Sequence, residues 1–215
     1  MSLITADQLH RISPVARSDI VAAIIDKADE MFPAYGLATL LRVRHFLAQV
    51  AEETGGLRVL EEDLDYSAMR LMQVWPARFP TLATAEPYAH NPRRLADRVY
   101  GGRMGNAGPN DGWKYRGRGL LQTTGKAMFA LLQHDTGLPL VDQPELASAP
   151  EHMLQCAVVS FVRIHGVLAA CDRNDVAGVT RLVNGGLTNL AARRLYLAHC
   201  DHAIAELGAI GAVPA

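Results

Sequence analysis

Apolar residues recur at helical spacing near both ends of the chain and lose that rhythm in the middle. Val15, Ile20, Val21, Ile24, Ile25 and Met31 follow a 3.6-residue repeat. Ser13-Pro14 offers a capping hydroxyl and a proline suited to a first helical turn, so a helix is predicted from there to about Phe32. A second is predicted from about Ala38 to Thr54, stopped by Gly55-Gly56. Helical spacing returns near Lys126–Asp135, Pro150–Ile164, Asp175–Val183 and Ala191–Leu207. Between them, from about Leu57 to Gln122, Gly, Pro and Asn are dense and predict turns, with short strands near Leu57–Leu60 and Tyr115–Leu121. The fold class implied is mostly α (α+β): a helical domain with a small β region lining a cleft. No linker or repeat divides residues 1–215, which are read as a single domain.

Composition narrows the classes of function. The net charge is −1 and the pI about 6.7, so no global field points to nucleic acid. Locally, Arg93, Arg94, Arg98, Arg103, Lys114, Arg116 and Arg118 face only Asp97 and Asp111, a cluster suited to an anionic ligand or to an ordinary solvated surface. Cys156, Cys171 and Cys200 are odd in number and widely spaced, which predicts buried, reduced thiols. No apolar run is long enough to span a bilayer, and the first residues lack the pattern of a signal peptide, so the chain is expected to be made in the cytoplasm as a monomer without stable membrane insertion. His199 and His202 are three apart on a predicted helix but have no third ligand nearby, and no metal is expected.

The acidic residues carry the candidate chemistry. Glu52, Glu53, Glu61, Glu62, Asp63 and Asp65 crowd a short span. On a helical wheel Leu40, Val43, Phe46, Leu47, Val50 and Ala51 share a face. Glu52 falls nearly opposite, in line with His45, and is expected to meet solvent. Glu53 falls at the apolar edge, in line with Phe46, and is the carboxyl expected to be desolvated. Desolvation and the negative end of a helix both raise a carboxyl pKa, as a general acid requires. The second carboxyl lies among Glu61, Glu62, Asp63 and Asp65. In an extended segment Glu61 and Glu62 face opposite ways, which suits one solvated base beside one buried acid.

Phe46-Leu47-Ala48-Gln49-Val50-Ala51-Glu52-Glu53-Thr54-Gly55-Gly56 resembles the end of the catalytic helix in glycoside hydrolase family 19, which includes plant-type chitinases and phage endolysins. Four further segments resemble later motifs of that family in order: Glu61–Ser67, Tyr100–Asn106, Trp113–Gly125 and Val183–Gly186. The resemblance runs from about residue 40 to 197. It implies a lysozyme-like superfamily fold, Glu53 as general acid, Glu62 as general base and Thr124 as a partner of the attacking water. It also implies Gln122 and Asn184 in the substrate cleft, an arginine near the base at Arg193 or Arg194, and no cofactor. Tyr115 and Trp113 join this list as candidate sugar contacts; Trp75 is read as structural or stacking. The residue before the acid is often histidine in the family and is Glu52 here; an asparagine of the family corresponds to Met128.

The implied reaction is inverting hydrolysis of β-1,4 links between N-acetylated amino sugars. Absence of disulfides and the short step from Glu53 to Glu62 resemble compact phage or prophage endolysins. Peptidoglycan is therefore the expected substrate, reached through a holin or another export route. Chitin is the alternative, and a non-catalytic glycan-binding relative the third reading.

Overall fold

The computed structural model describes residues 2–207. Twelve α-helices follow one another among them. Three precede the turn-rich centre: α1, Ala6–Ile12; α2, Ser18–Ala34; and α3, Leu40–Glu53. Four short ones lie within the centre: α4, Ala68–Val74; α5, Leu82–Ala85; α6, Pro92–Tyr100; and α7, Asp111–Lys114. Five follow: α8, Lys126–Thr136; α9, Met153–Val159; α10, Leu168–Asp172; α11, Val176–Asn184; and α12, Leu190–Ala203. A π turn at Ser160–Ile164 continues α9.

The mostly helical class is as the patterning predicts, and local signals explain most boundaries. Thr5 closes a capping box with Gln8 and starts α1, a helix the hydrophobic repeat alone does not reveal. The helix after Ser13 begins later than predicted, at Ser18, because the Ser13 hydroxyl is committed elsewhere: it donates to the Gly56 carbonyl at 2.9 Å. Thr39 caps α3 by accepting from the Arg42 amide. At its other end the Gly56 amide reaches back to the Ala51 carbonyl at 2.7 Å. Gly56 has φ of 86°, and a Cβ there would stand 2.6 Å from Ser13 Oγ, so only glycine fits.

α3 is enclosed rather than lying on a surface. Val43 and the whole run His45–Ala51 are buried, packed by α10, α11 and α12. His45, in line with Glu52 on the wheel, is fully buried for this reason: its Nε2 pairs with Asn174 Oδ1 at 2.9 Å, and burial pushes its pKa down. Phe46 stands edge-on to Phe32 and Phe161 in the main core.

Two smaller cores flank the large one. Leu64, Leu71, Phe79, Ala85, Leu95, Ala96 and Val99 form the first, bordered by Tyr66, Trp75 and Tyr88. Trp75 is structural here. The second gathers Tyr115, Phe129, Leu132, Leu140, Ala147, Cys156 and Val159. The loops predicted for 57–122 thus contain four short helices. Ser67, Thr81 and Asn91 cap three of them, polar residues that read as turn signals in the sequence.

No strand forms at Leu57–Leu60, where Leu57 adopts φ of 60° in the turn after α3. The β region is reduced to two isolated antiparallel bridges, Glu61 with Arg118 and Arg118 with Thr123. The Gly119–Gln122 turn reverses the chain so that Arg118 and Thr123 exchange both backbone hydrogen bonds. The three cysteines are buried and unpaired, and burial pushes each thiol up to about 12. Among the described residues no helix is long and apolar enough to cross a membrane, and no group of three metal-ligating side chains occurs.

Candidate active site

Glu53 ends α3 as the last helical residue before the Gly55-Gly56 stop, and its side chain is 18% exposed. Burial raises its carboxyl above the usual glutamate range; Arg193 pulls it down and the charge of Glu52 pushes it up. Arg193 Nη2 donates to Glu53 Oε1 at 2.6 Å. The guanidinium comes from α12 and is itself only 2% exposed, so the contact is not softened by water.

The expectation for Glu52 is corrected by the same arginine. Its side chain is 10% exposed, more covered than Glu53, and its Oε2 lies 2.6 Å from Arg193 Nη2. The Asn189 amide closes over Glu52 Oε1 at 2.7 Å. The polar side of α3 does not reach solvent because α12 lies against it, bringing Arg193 to both glutamates and to Gln49. Of Arg193 and Arg194, it is Arg193 that reaches these carboxyls, while Arg194 is exposed. The neighbours of Arg193 are Glu52 and Glu53 rather than Glu62, where the resemblance implies an arginine, and it has almost no surface to offer a sugar.

Glu62 belongs to a second cluster. Its amide donates to the Gly117 carbonyl at 2.9 Å, fixing it beside the segment 117–119. Tyr100 donates its hydroxyl to Glu62 Oε1 at 2.6 Å, and the Gly117 amide donates to Oε2 at 3.3 Å. Burial and the facing Glu62 push the Tyr100 phenol well up, so it stays an O–H donor. Glu61 points the other way, to Arg116 and, at 3.5 Å, to Arg118. The opposite facing of these two glutamates agrees with the alternation expected of an extended segment.

Gly117 marks where three of the predicted residues, Glu62, Gln122 and Thr124, converge. A Cβ there would stand 2.8 Å from Gln122 Oε1, 3.3 Å from Glu62 Cβ and 3.4 Å from Thr124 Oγ1. Thr124 donates to the Gln122 carbonyl at 2.9 Å, leaving its oxygen lone pairs as acceptors. Gln122 holds its own turn through Nε2 to the Gly119 carbonyl at 3.1 Å. The link between the two clusters is pinned: Leu57 accepts from the Arg17 amide, and Leu60 from both Gly119 and the Ser148 hydroxyl.

Other candidates fall elsewhere. Tyr115 is 1% exposed, with its hydroxyl donating to the Val141 carbonyl at 2.8 Å. It is a core residue, with no surface for a sugar. Trp113 is half-buried, with the Arg116 guanidinium 3.8 Å from its ring centre and Arg93 at 5.7 Å. Its ring therefore stacks on arginine. Asn184 is exposed at the end of α11, where Gly185 turns the chain with φ of 70°. The basic cluster is partly neutralised, since Arg116 and Arg118 are buried against Glu61. Sequence reasoning missed Gln49, Tyr100 and Asn189 as site residues and misplaced Glu52. Tyr100 lies within a quoted motif, but nothing local shows that it reaches Glu62.

A protein of Haemophilus influenzae described as a glycosyl hydrolase family 19 domain-containing protein is 33% identical over 199 residues, covering 91% of this chain and 95% of its own. The chain belongs to glycoside hydrolase family 19. No protein-family model matches it. Family 19 membership makes it a glycoside hydrolase with a polysaccharide substrate. The fold agrees. Chitinase C from Streptomyces griseus superposes with a TM-score of 0.63 at 16% identity, covering 95% of this chain and 77% of that one. A family 19 class IV chitinase from Zea mays does so at 0.57 and 16% identity, covering 97% and 96%. This family 19 fold is lysozyme-like and its regular secondary structure is helical, with the β part reduced to the bridges beside Glu62.

Proposed function

We propose that Glu53 and Glu62 hydrolyse β-1,4 links between N-acetylated amino sugars with inversion. Glu53 gives its proton to the leaving oxygen. Glu62 takes a proton from a water attacking the opposite face of the sugar, and Thr124 offers that water a second hydrogen-bond partner. Gln122 and Asn184 contact the sugar, and Arg193 holds the acid in place. The observation that carries this reading is the difference between the two carboxyls: Glu53 is desolvated and its pKa raised, whereas Glu62 accepts two hydrogen bonds beside Thr124.

Chitin-type polymers of N-acetylglucosamine are the favoured substrate, supported by the chitinases among the structural neighbours. Peptidoglycan is a second reading, favoured by the exposed Arg93, Arg94, Arg98 and Arg103, which suit an anionic wall polymer. In that reading the protein acts on the wall after release from the cytoplasm.

Incubation with N-acetylglucosamine oligomers and, separately, with purified peptidoglycan tests both. Oligomer cleavage giving the α-anomer first, read by NMR before mutarotation, is the expected result. Initial release of the β-anomer would overturn the inverting mechanism. Cleavage of peptidoglycan alone would move the substrate to the second reading.

A further inference from the structure

Glu52 and Glu53 meet the same nitrogen atom. Arg193 Nη2 lies 2.6 Å from Glu52 Oε2 and 2.6 Å from Glu53 Oε1, while Nη1 is taken by Gln49. The two carboxyls differ in what else holds them. Glu52 has donors on both oxygens, Arg193 on Oε2 and Asn189 on Oε1. Glu53 has Arg193 on Oε1, and among the described residues nothing donates to its Oε2. One guanidinium balances one carboxylate, so two adjacent carboxyls with a single cation hold one negative charge more than is neutralised. The carboxyl gripped at both oxygens suits the role of counter-charge. The carboxyl with a free oxygen has room for a proton.

We propose that Glu52 is a positioning residue for the acid: it occupies Arg193 as counter-charge and so leaves Glu53 protonated for transfer to the leaving oxygen. This rests on the reading of Glu53 as the general acid. The charged groups bearing on Glu53 are Arg193, from α12, and Glu52, from its own helix. Gln49 and Asn189, which complete the cluster, are neutral. Neutralising Glu52 therefore acts twice in one direction. It removes a like charge from beside Glu53, and it leaves Arg193 undivided to favour the Glu53 carboxylate. Both effects make Glu53 lose its proton at lower pH.

The test combines two measurements on Glu52→Gln. The alkaline limb of the kcat/KM profile is expected to move down by about one pH unit, the scale on which a neighbouring charge acts. The titration midpoint of the Glu53 carboxyl, followed by NMR of isotope-labelled glutamate without substrate, is expected to move with it. Glu52→Asp retains the charge and returns the limb toward the wild-type position. A merely structural Glu52 would lower the rate equally at every pH. A midpoint that stays fixed or rises in folded Glu52→Gln overturns the proposal. Should that variant not fold, Asn189→Ala loosens the grip on Glu52 and is expected to give a smaller downward shift; no shift there overturns the proposal equally. The underlying reading fails separately: a Glu53→Gln enzyme with wild-type turnover removes Glu53 from catalysis, whatever the titrations show.

Discussion

Glu53 stands at the end of a 14-residue helix covered on every side, whereas Glu62 stands in an extended stretch held against the glycine-rich segment 117–119 by one isolated bridge and a few backbone hydrogen bonds. The first environment is made by packing. Arg193 from α12 closes over Glu53, Asn189 from the turn before it covers the neighbouring Glu52, and the raised Glu53 pKa follows from burial. The second is made by backbone. The Gly117 amide and carbonyl hold Glu62, the Gly119 amide holds Leu60 two residues before it, and the missing side chain at Gly117 leaves room for Gln122 and Thr124. In the proposed mechanism the difference teaches that a proton donor and a proton acceptor need different surroundings. The donor needs a site that discourages charge, and the acceptor needs hydrogen-bond donors and space for a water.

The largest test of this contrast removes the donor itself. Glu53→Gln keeps the shape but has no proton to give, and kcat/KM is expected to fall by about 10³-fold, within the range of general-acid contributions. In the wild type the rate should fall as pH rises through the Glu53 value, because the acid works only when protonated. Burial raises that value, so the limb lies above the roughly 4.3 of a free glutamate. The same shift has a stability consequence. The folded chain holds this proton more tightly than the unfolded one, so the contribution is complete below about 4.3 and is lost as pH rises through the folded value. A thermal melt series in Glu53→Gln should lack that component.

Gly117→Ala attacks the acceptor side alone. The added methyl would meet Gln122 Oε1 at 2.8 Å, and turnover is expected to drop by about 10-fold or more while the alkaline limb stays in place. A moved limb would mean that the two clusters are not separate devices. Tyr100→Phe is milder. It removes one hydrogen bond to a carboxylate, worth about 1.5 kcal/mol, and about a 10-fold loss in kcat/KM is expected with the fold intact by circular dichroism. Tyr115→Phe should do least: a stability loss of about 1 kcal/mol from the lost bond to Val141, with KM unchanged. A raised KM would return Tyr115 to the cleft.

What the sequence reveals of this site depends on how local the cause is. The stop after Glu53 was legible because glycine pairs of this kind end helices by their own conformation. The opposed facing of Glu61 and Glu62 was legible from alternation. Helix α4 was not, since Ser67 caps it and reads as a turn residue. Nor was the burial of His45 and Glu52. A helical wheel assumes one covered face, but α3 is covered all round by chain that arrives more than 120 positions later, at Asn174 and Asn189. Tyr115 and Trp113 share a segment rich in cleft residues, and only the partners of each, a carbonyl at Val141 and a guanidinium at Arg116, separate core from surface.

The bond between Arg193 and Glu53 joins residues 140 positions apart. Bringing such distant residues together carries a large chain-closure cost, met here by the packing of α12 on α3. Before α12 docks, Glu52 and Glu53 are adjacent carboxyls with neither a cation nor a dry environment. The environment of Glu53 is therefore not a property of the helix that carries it: it exists only where the two ends of the chain are packed together.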